Sequence, residues 1–292
     1  MLYHSINGQF GGIQAPDEGL LDRGLAYGHG LFESMLLCSG TTALQNQHVE
    51  RIYRDAKKLG INLQPSILHD YLNDFQSSLN SHKVEAGVIK LMVTAGIGGR
   101  GYQSPDSISP KVICAYTVLP DSLSEQRAKG IKLWRCDYRL PQNPRLAGIK
   151  HLNRLDQVMA RREWGSSDYA EGLMLDQAGG VIEATAANIF IRTKQGWETP
   201  LLSEAGVAGV MRSVLIREIF AAENIAPSIA AIPLQRLEDC SEMFVCNAIR
   251  GIVPVVGIAQ SSDLRSAAIS FEIGEQTRSL QNALTQRYPC FQ

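Results

Sequence analysis

The chain has 292 residues, of which 45% are hydrophobic and 20% charged, with a formal net charge of −1. That is enough apolar material for packed interiors and too little charge for a disordered chain, and the length exceeds what one core usually serves, so two domains are expected. A near-neutral balance, with no basic run longer than Arg161-Arg162, argues against nucleic acid or an anionic membrane as a partner.

No stretch reaches the ~18 apolar residues of a membrane span, and residues 1–10 lack a cationic start followed by an apolar run, so a cytoplasmic protein is expected. Six cysteines without a C-x-x-C pair and six histidines without ligand spacing predict reduced thiols and no metal site.

In chain order, an apolar segment around Leu2, Tyr3 and Ile6 meets Asn7-Gly8, the dipeptide of a tight hairpin. Residues 31–38 read as a strand closed by Ser39-Gly40. Val49, Ile52, Tyr53, Ala56 and Leu59 then recur at helical spacing and stop at Gly60. Pro65 opens a second helix carrying Leu68, Leu72, Phe75 and Leu79. The β-rich runs 88–94 and 112–118 surround a glycine-rich loop, and the polar stretch 120–126 is expected to link the domains. A new set of elements begins with Ile131 to Cys136, and Leu152, Leu155, Met159 and Arg162 predict a helix just after Lys150. Two strands flank Gly179-Gly180, and another helix starts near Gly209. Short strands outnumber crossover units and no G-x-G-x-x-G follows a strand, which disfavours a parallel dinucleotide-binding sheet.

In Leu146-Ala147-Gly148-Ile149-Lys150-His151-Leu152-Asn153-Arg154-Leu155 a lysine sits between a small, apolar approach and the predicted helix. Burial disfavours an ammonium and leaves a more nucleophilic amine, which covalent chemistry with an aldehyde cofactor requires. Taken alone, however, a lysine is usually a solvated surface residue. In the same way Glu183 alone reads as a strand-end carboxylate, Arg51 as a surface ion-pair residue and Gly206-Val207-Ala208-Gly209-Val210 as a turn. The loop Gly96-Ile97-Gly98-Gly99-Arg100-Gly101-Tyr102 reads as a strand connection with one guanidinium suited to bidentate capture of a carboxylate.

Together these segments form an ordered series. The run L-A-G-I-K-H-L-N-R-L-D-Q resembles the lysine segment of the aminodeoxychorismate lyases in the fold-type IV pyridoxal-phosphate family. Asp22-Arg23-Gly24, Tyr27-Gly28-His29-Gly30-Leu31-Phe32-Glu33 and His48-Val49-Glu50-Arg51-Ile52 resemble that family's amino-terminal signatures in the same order. Gly98-Gly99-Arg100-Gly101-Tyr102, Glu183-Ala184-Thr185-Ala186-Ala187-Asn188-Ile189-Phe190, Gly206-Val207-Ala208-Gly209-Val210-Met211-Arg212 and Cys246-Asn247-Ala248 continue the series, so the resemblance covers nearly the whole chain.

The resemblance implies an α+β, two-domain fold like that of D-amino-acid and branched-chain aminotransferases. It implies a small α/β domain at 1–119, a large domain at 120–292 carrying the catalytic lysine, pyridoxal 5'-phosphate in the cleft between them, and a homodimer. Lys150 is then the catalytic, cofactor-bearing residue, and Glu183 faces the pyridine nitrogen. Arg51 and the amides of Gly209, Val210 and Met211 hold the phosphate, with Arg154, Asn188, Asn247 and Ala248 also beside the cofactor. Arg100, Tyr102 and Ser34 are the implied substrate residues. The implied reaction converts aminodeoxychorismate to 4-aminobenzoate and pyruvate, a step in folate biosynthesis. The alternatives are a fold-type IV aminotransferase acting on branched-chain or D-amino acids and, from another class, a cofactor-free binding protein on the same scaffold.

Overall fold

The computed structural model describes residues 3–11, 22–98, 101–104, 109–259 and 269–292. One unit comprises Met1–Pro120 with Lys150–Asn153, the other Asp121–Ile149 with Arg154–Gln292.

In the first unit β1 (Tyr3–Ile6) and β2 (Gln9–Gly11) join through Asn7 and Gly8, whose φ values of 47° and 82° are those of a two-residue hairpin turn. Then follow α1 (Arg23–Tyr27), β3 (Gly30–Cys38), β4 (Thr41–Thr42), α2 (Gln45–Lys58), α3 (Pro65–Ser81), β5 (Gly87–Thr94) and β6 (Lys111–Thr117). The strands form an antiparallel sheet in the order β2-β1-β6-β5-β3-β4. α2 ends where the sequence places its end, with Ile61 N–H reaching back to the Ala56 carbonyl at 2.9 Å. Alternation along β3 sends Leu31, Glu33, Met35 and Leu37 inward, and α2 packs on this strand. Leu68, Leu72, Phe75 and Leu79 of α3 are fully buried, each stabilising the unit by roughly 1.5–3 kcal/mol.

The second unit begins with α4 (Leu123–Lys129), which occupies much of the polar stretch that the sequence marks only as a link. It continues through β7 (Ile131–Leu140), α5 (Leu155–Arg161), β8 (Tyr169–Asp176), β9 (Gly180–Ala184), β10 (Asn188–Thr193), β11 (Gly196–Pro200) and α6 (Val210–Val214). A wide helical turn, Leu215–Ile219, leads from α6 into α7 (Phe220–Ala222). The last elements are β12 (Ser228–Ala230), β13 (Ile232–Pro233), β14 (Glu242–Asn247), β15 (Gly251–Ala259), β16 (Ile269–Ser270) and α8 (Glu275–Arg287). The sheet runs β12-β11-β10-β14-β15-β7-β8-β9-β13, with β16 beside β15. Its pairs are mostly antiparallel, but β7 is parallel to both neighbours and β11 is parallel to β12. Leu133, Leu173, Ile189, Val245 and Val253 form its core.

Two expectations change. The helix expected directly after Lys150 starts only at Leu155, because residues 150–152 are extended against β3. Leu155 and Met159, two of the residues whose spacing predicted it, are exposed; α5 buries only Ala160 and is tied down by Tyr138, whose hydroxyl donates to Asp156 at 2.6 Å. The lysine segment belongs to the first unit, where the resemblance implies the large domain. Cys114, Cys136, Cys240 and Cys246 are free thiols.

Candidate active site

Lys150 is held by the start of β3. Phe32 N–H donates to the Lys150 carbonyl at 3.1 Å, Leu152 N–H donates to the Gly30 carbonyl at 2.9 Å, and His151 bridges Leu31. This extended clamp places Lys150 Nζ 4.2 Å from the centroid of the Phe32 ring, a cation over an aromatic face. Lys90 Nζ, from the exposed face of β5, lies 5.2 Å from the same ring. Ser34 follows Phe32 on that face of β3 and pairs in register with Lys90. The sequence reading misses Lys90. Its signal was available: a lone lysine inside Val88-Ile89-Lys90-Leu91-Met92-Val93, at a position where alternation points away from the core.

Behind this face, Arg51 is buried and committed to Glu33. Its Nε donates to Oε1 at 2.7 Å and its Nη2 to Oε2, while His48 Nδ1 lies 2.6 Å from Oε2. All three side chains are under a tenth exposed. Burial pushes the Glu33 carboxyl up, but Arg51 and His48 outweigh it and hold the group down to about 2. His48 is lowered, by burial first and with Arg51 and Lys150 adding to it, against the opposing pull of Glu33. His48 Nε2 is a buried polar atom without a hydrogen-bond partner among the described residues. Glu33 as partner of Arg51 was also missed, although a carboxylate on the inward alternation of an apolar strand requires a buried cation.

In the second unit the chain just before Lys150 is stitched to the loop after β11. Gly148 N–H donates to the Gly206 carbonyl at 2.9 Å, and Ala208 N–H to the Gly148 carbonyl at 3.1 Å. The same loop receives Glu183, buried on β9, whose Oε2 accepts from Val207 N–H at 2.8 Å while Gln157 Nε2 approaches Oε1 at 3.4 Å. A Cβ at Gly206 would lie 2.7 Å from Ile182 Cγ2 and 3.2 Å from Glu183 Oε2, so the turn admits no side chain there. Asn188 locks the loop from the other side, its Nδ2 donating to the Val207 carbonyl at 2.7 Å and its Oδ1 accepting from Gly209 N–H at 3.1 Å. Gly209 N–H is therefore spent on Asn188, and the amides of Val210 and Met211 are the next at the start of α6. Arg154 Nη2 approaches the Ile149 carbonyl at 3.4 Å, and its guanidinium is lowered by burial with Glu183 opposing. Asn247 organises a turn, accepting from Ile249 and Arg250 N–H at 3.0 and 2.8 Å and donating to the Ala186 carbonyl at 3.0 Å, with Ala248 half-buried between.

Of the implied substrate residues, Tyr102 is 88% exposed with its ring 5.4 Å from that of Tyr27, and Arg100 lies outside the described residues. No group of three metal-ligating side chains occurs among the described residues.

Two α+β units, an extended lysine clamped by aromatic-bearing strand β3, and a buried glutamate bonded to a glycine-rich loop define the scaffold of a class IV aminotransferase. The family model described as Amino-transferase class IV matches residues 30–258, and the chain belongs to this family. The aminodeoxychorismate lyase of Vibrio harveyi is 34% identical over 263 residues, covering 90% of this chain and 94% of the relative. The crystal structure of 4-amino-4-deoxychorismate lyase from Pseudomonas aeruginosa matches with a TM-score of 0.88 at 35% identity, over 98% of this chain and 99% of that one. A putative branched-chain-amino-acid aminotransferase of Methanocaldococcus jannaschii is 28% identical over 253 residues, 87% of this chain and 86% of the relative.

Proposed function

We propose that the chain is a pyridoxal-phosphate-dependent lyase that converts aminodeoxychorismate to 4-aminobenzoate and pyruvate. The observation that carries this reading is the pair of ammonium groups on one ring: Lys150 and Lys90 both face Phe32. Aminodeoxychorismate bears two carboxylates, an aliphatic amino acid one. A second cation beside the reacting amine suits the former.

The donor set fits the cofactor. Lys150 supplies an amine, Glu183 a buried carboxylate for the ring nitrogen, and Arg51 with the Val210 and Met211 amides the positive donors that a phosphate requires. Glu33 keeps the Arg51 guanidinium oriented, and Asn188 fixes the loop that presents those amides. Arg154, Asn247 and Ala248 complete the surround. When bound, pyridoxal phosphate supplies an electron sink for the carbon bearing the substrate amine.

Lys150 Nζ then takes the proton from that carbon and returns one as the enolpyruvyl group leaves and becomes pyruvate. Glu183 keeps a proton on the ring nitrogen. Arg100, Lys90, Ser34 and Tyr102 hold the substrate carboxylates and ring. Aromatisation of the remaining ring makes the elimination downhill.

The proposed enzyme is a cytoplasmic homodimer acting in folate biosynthesis; no helix among the described residues is long and apolar enough to cross a membrane. Transamination of branched-chain or D-amino acids is the alternative, favoured by the aminotransferase relative. Supplying aminodeoxychorismate without any keto acid and measuring product release tests one against the other.

A further inference from the structure

In the second unit Glu171, Ala186, Asn247 and Arg250 close a ring of hydrogen bonds. Glu171, near the start of β8, is 5% exposed, so its carboxylate requires a cation and donors inside the protein. Oε2 accepts from Ala186 N–H at 3.0 Å and from the Thr185 hydroxyl, both in the turn between β9 and β10. The Ala186 carbonyl accepts from Asn247 Nδ2 at 3.0 Å, and Asn247 Oδ1 accepts from the N–H groups of Ile249 and Arg250. The buried Arg250 then returns its guanidinium to Glu171 Oε1. One orientation of the Asn247 amide satisfies both turns, with its nitrogen on Ala186 and its oxygen on residues 249 and 250.

Arg127 holds the carbonyls of the turn between β14 and β15. Its Nε donates to the Arg250 carbonyl at 2.7 Å and its Nη2 to the Ile249 carbonyl at 3.2 Å. The peptide joining Ile249 to Arg250 is thereby fixed at its carbonyl and at its N–H. Within the turn, residues 248–250, the N–H of Ala248 has no hydrogen bond among the described residues. An amide left over in a turn fixed this firmly is a ready donor to an anion. The turn also lies at the end of the sheet where the proposed phosphate donors start. Cys246 pairs in register with Asn188, and Asn188 Oδ1 accepts from Gly209 N–H, next to the Val210 and Met211 amides.

We propose that Glu171 and Arg250 are positioning residues for the cofactor phosphate: their ion pair closes the ring that aims the Ala248 amide at the phosphate, and neither side chain touches cofactor or substrate. This rests on the pyridoxal-phosphate reading above. It predicts a loss confined to the phosphate. Glu171→Gln keeps the size and removes the charge, and should weaken binding of pyridoxal 5'-phosphate roughly ten- to a hundred-fold, the scale of one charge-assisted hydrogen bond. Binding of pyridoxal, which has the same ring and aldehyde without the phosphate, should stay within about twofold of wild type. Arg250→Lys keeps the charge without the planar fork and should fall between Glu171→Gln and wild type.

Titrating the full chain, dialysed free of cofactor, with each ligand and following the absorbance of the bound ring gives both dissociation constants. Misfolded protein lowers the amount bound but not the ratio of the constants, so the ratio reads the phosphate alone. A ratio within about twofold of wild type in both variants overturns the proposal, whether neither ligand is weakened or both are weakened equally, since a pair that merely stabilises the fold acts on both. If Glu171→Gln does not fold, Arg250→Lys decides by the same ratio. A wild type that binds pyridoxal as tightly as pyridoxal 5'-phosphate refutes the phosphate site itself and the proposal with it. A wild-type preference for the phosphate that survives both substitutions refutes the role of Glu171 and Arg250 alone.

Discussion

Replacing Glu33 by glutamine keeps the size of a buried side chain and removes the charge that Arg51 and His48 share. The carboxyl is held down from its ordinary 4.5 to about 2 despite its burial, a difference worth about 3 kcal/mol of folding stability. Because the folded-state value is depressed, this contribution is fully present above pH 4.5 and is lost as pH falls towards 2. At neutral pH the variant should also deprive the buried Arg51 cation of this carboxylate, so its total loss should be on the order of 3–5 kcal/mol. Urea unfolding of both proteins from pH 7 to pH 3 measures the gap. It should be wide at pH 7 and narrow below pH 4.5. His48 adds a separate slope: its lowered value means that the unfolded chain takes up the proton first, so wild-type stability should begin to fall below 6.5. A gap under about 1 kcal/mol at pH 7, or one that does not change with pH, would refute the buried ion cluster as a stabilising element.

Borohydride reduction of the holoenzyme should fix the cofactor to Lys150 alone, as read by peptide mapping, and Lys150→Ala should take no label; a label on another lysine contradicts the assignment. Arg51→Ala should weaken cofactor retention by on the order of 1.5–3 kcal/mol in equilibrium dialysis, and unchanged affinity would mean that the phosphate is held elsewhere. Arg100→Ala and Lys90→Ala should each lower kcat/KM for aminodeoxychorismate by roughly ten- to a hundred-fold with the cofactor spectrum intact. A fully active variant removes that residue from the substrate site.

What the sequence made legible was what local pattern controls. Asn7-Gly8 specified the hairpin, Gly60 the end of α2, and the i, i+4, i+7 spacing of Leu68, Leu72 and Phe75 the buried face of α3. The segment around Lys150 misled, because apolar residues at helical spacing there are exposed and the backbone instead finds partners on β3, over a hundred residues earlier. The same reason hid the partners of the site. Glu33 meets Arg51 across strand and helix, Asn188 meets Gly209 across a loop, and Glu171 meets Arg250 some eighty residues on; none of these pairs has a spacing that a single sequence displays. The residue types were visible but their pairing was not.

The central claim is the reaction. Purified protein loaded with pyridoxal phosphate and given aminodeoxychorismate, with no keto acid present, should release 4-aminobenzoate and pyruvate in equal amounts over many turnovers. Absence of both products, together with transfer of the amino group from leucine or D-alanine to an added keto acid, would contradict it.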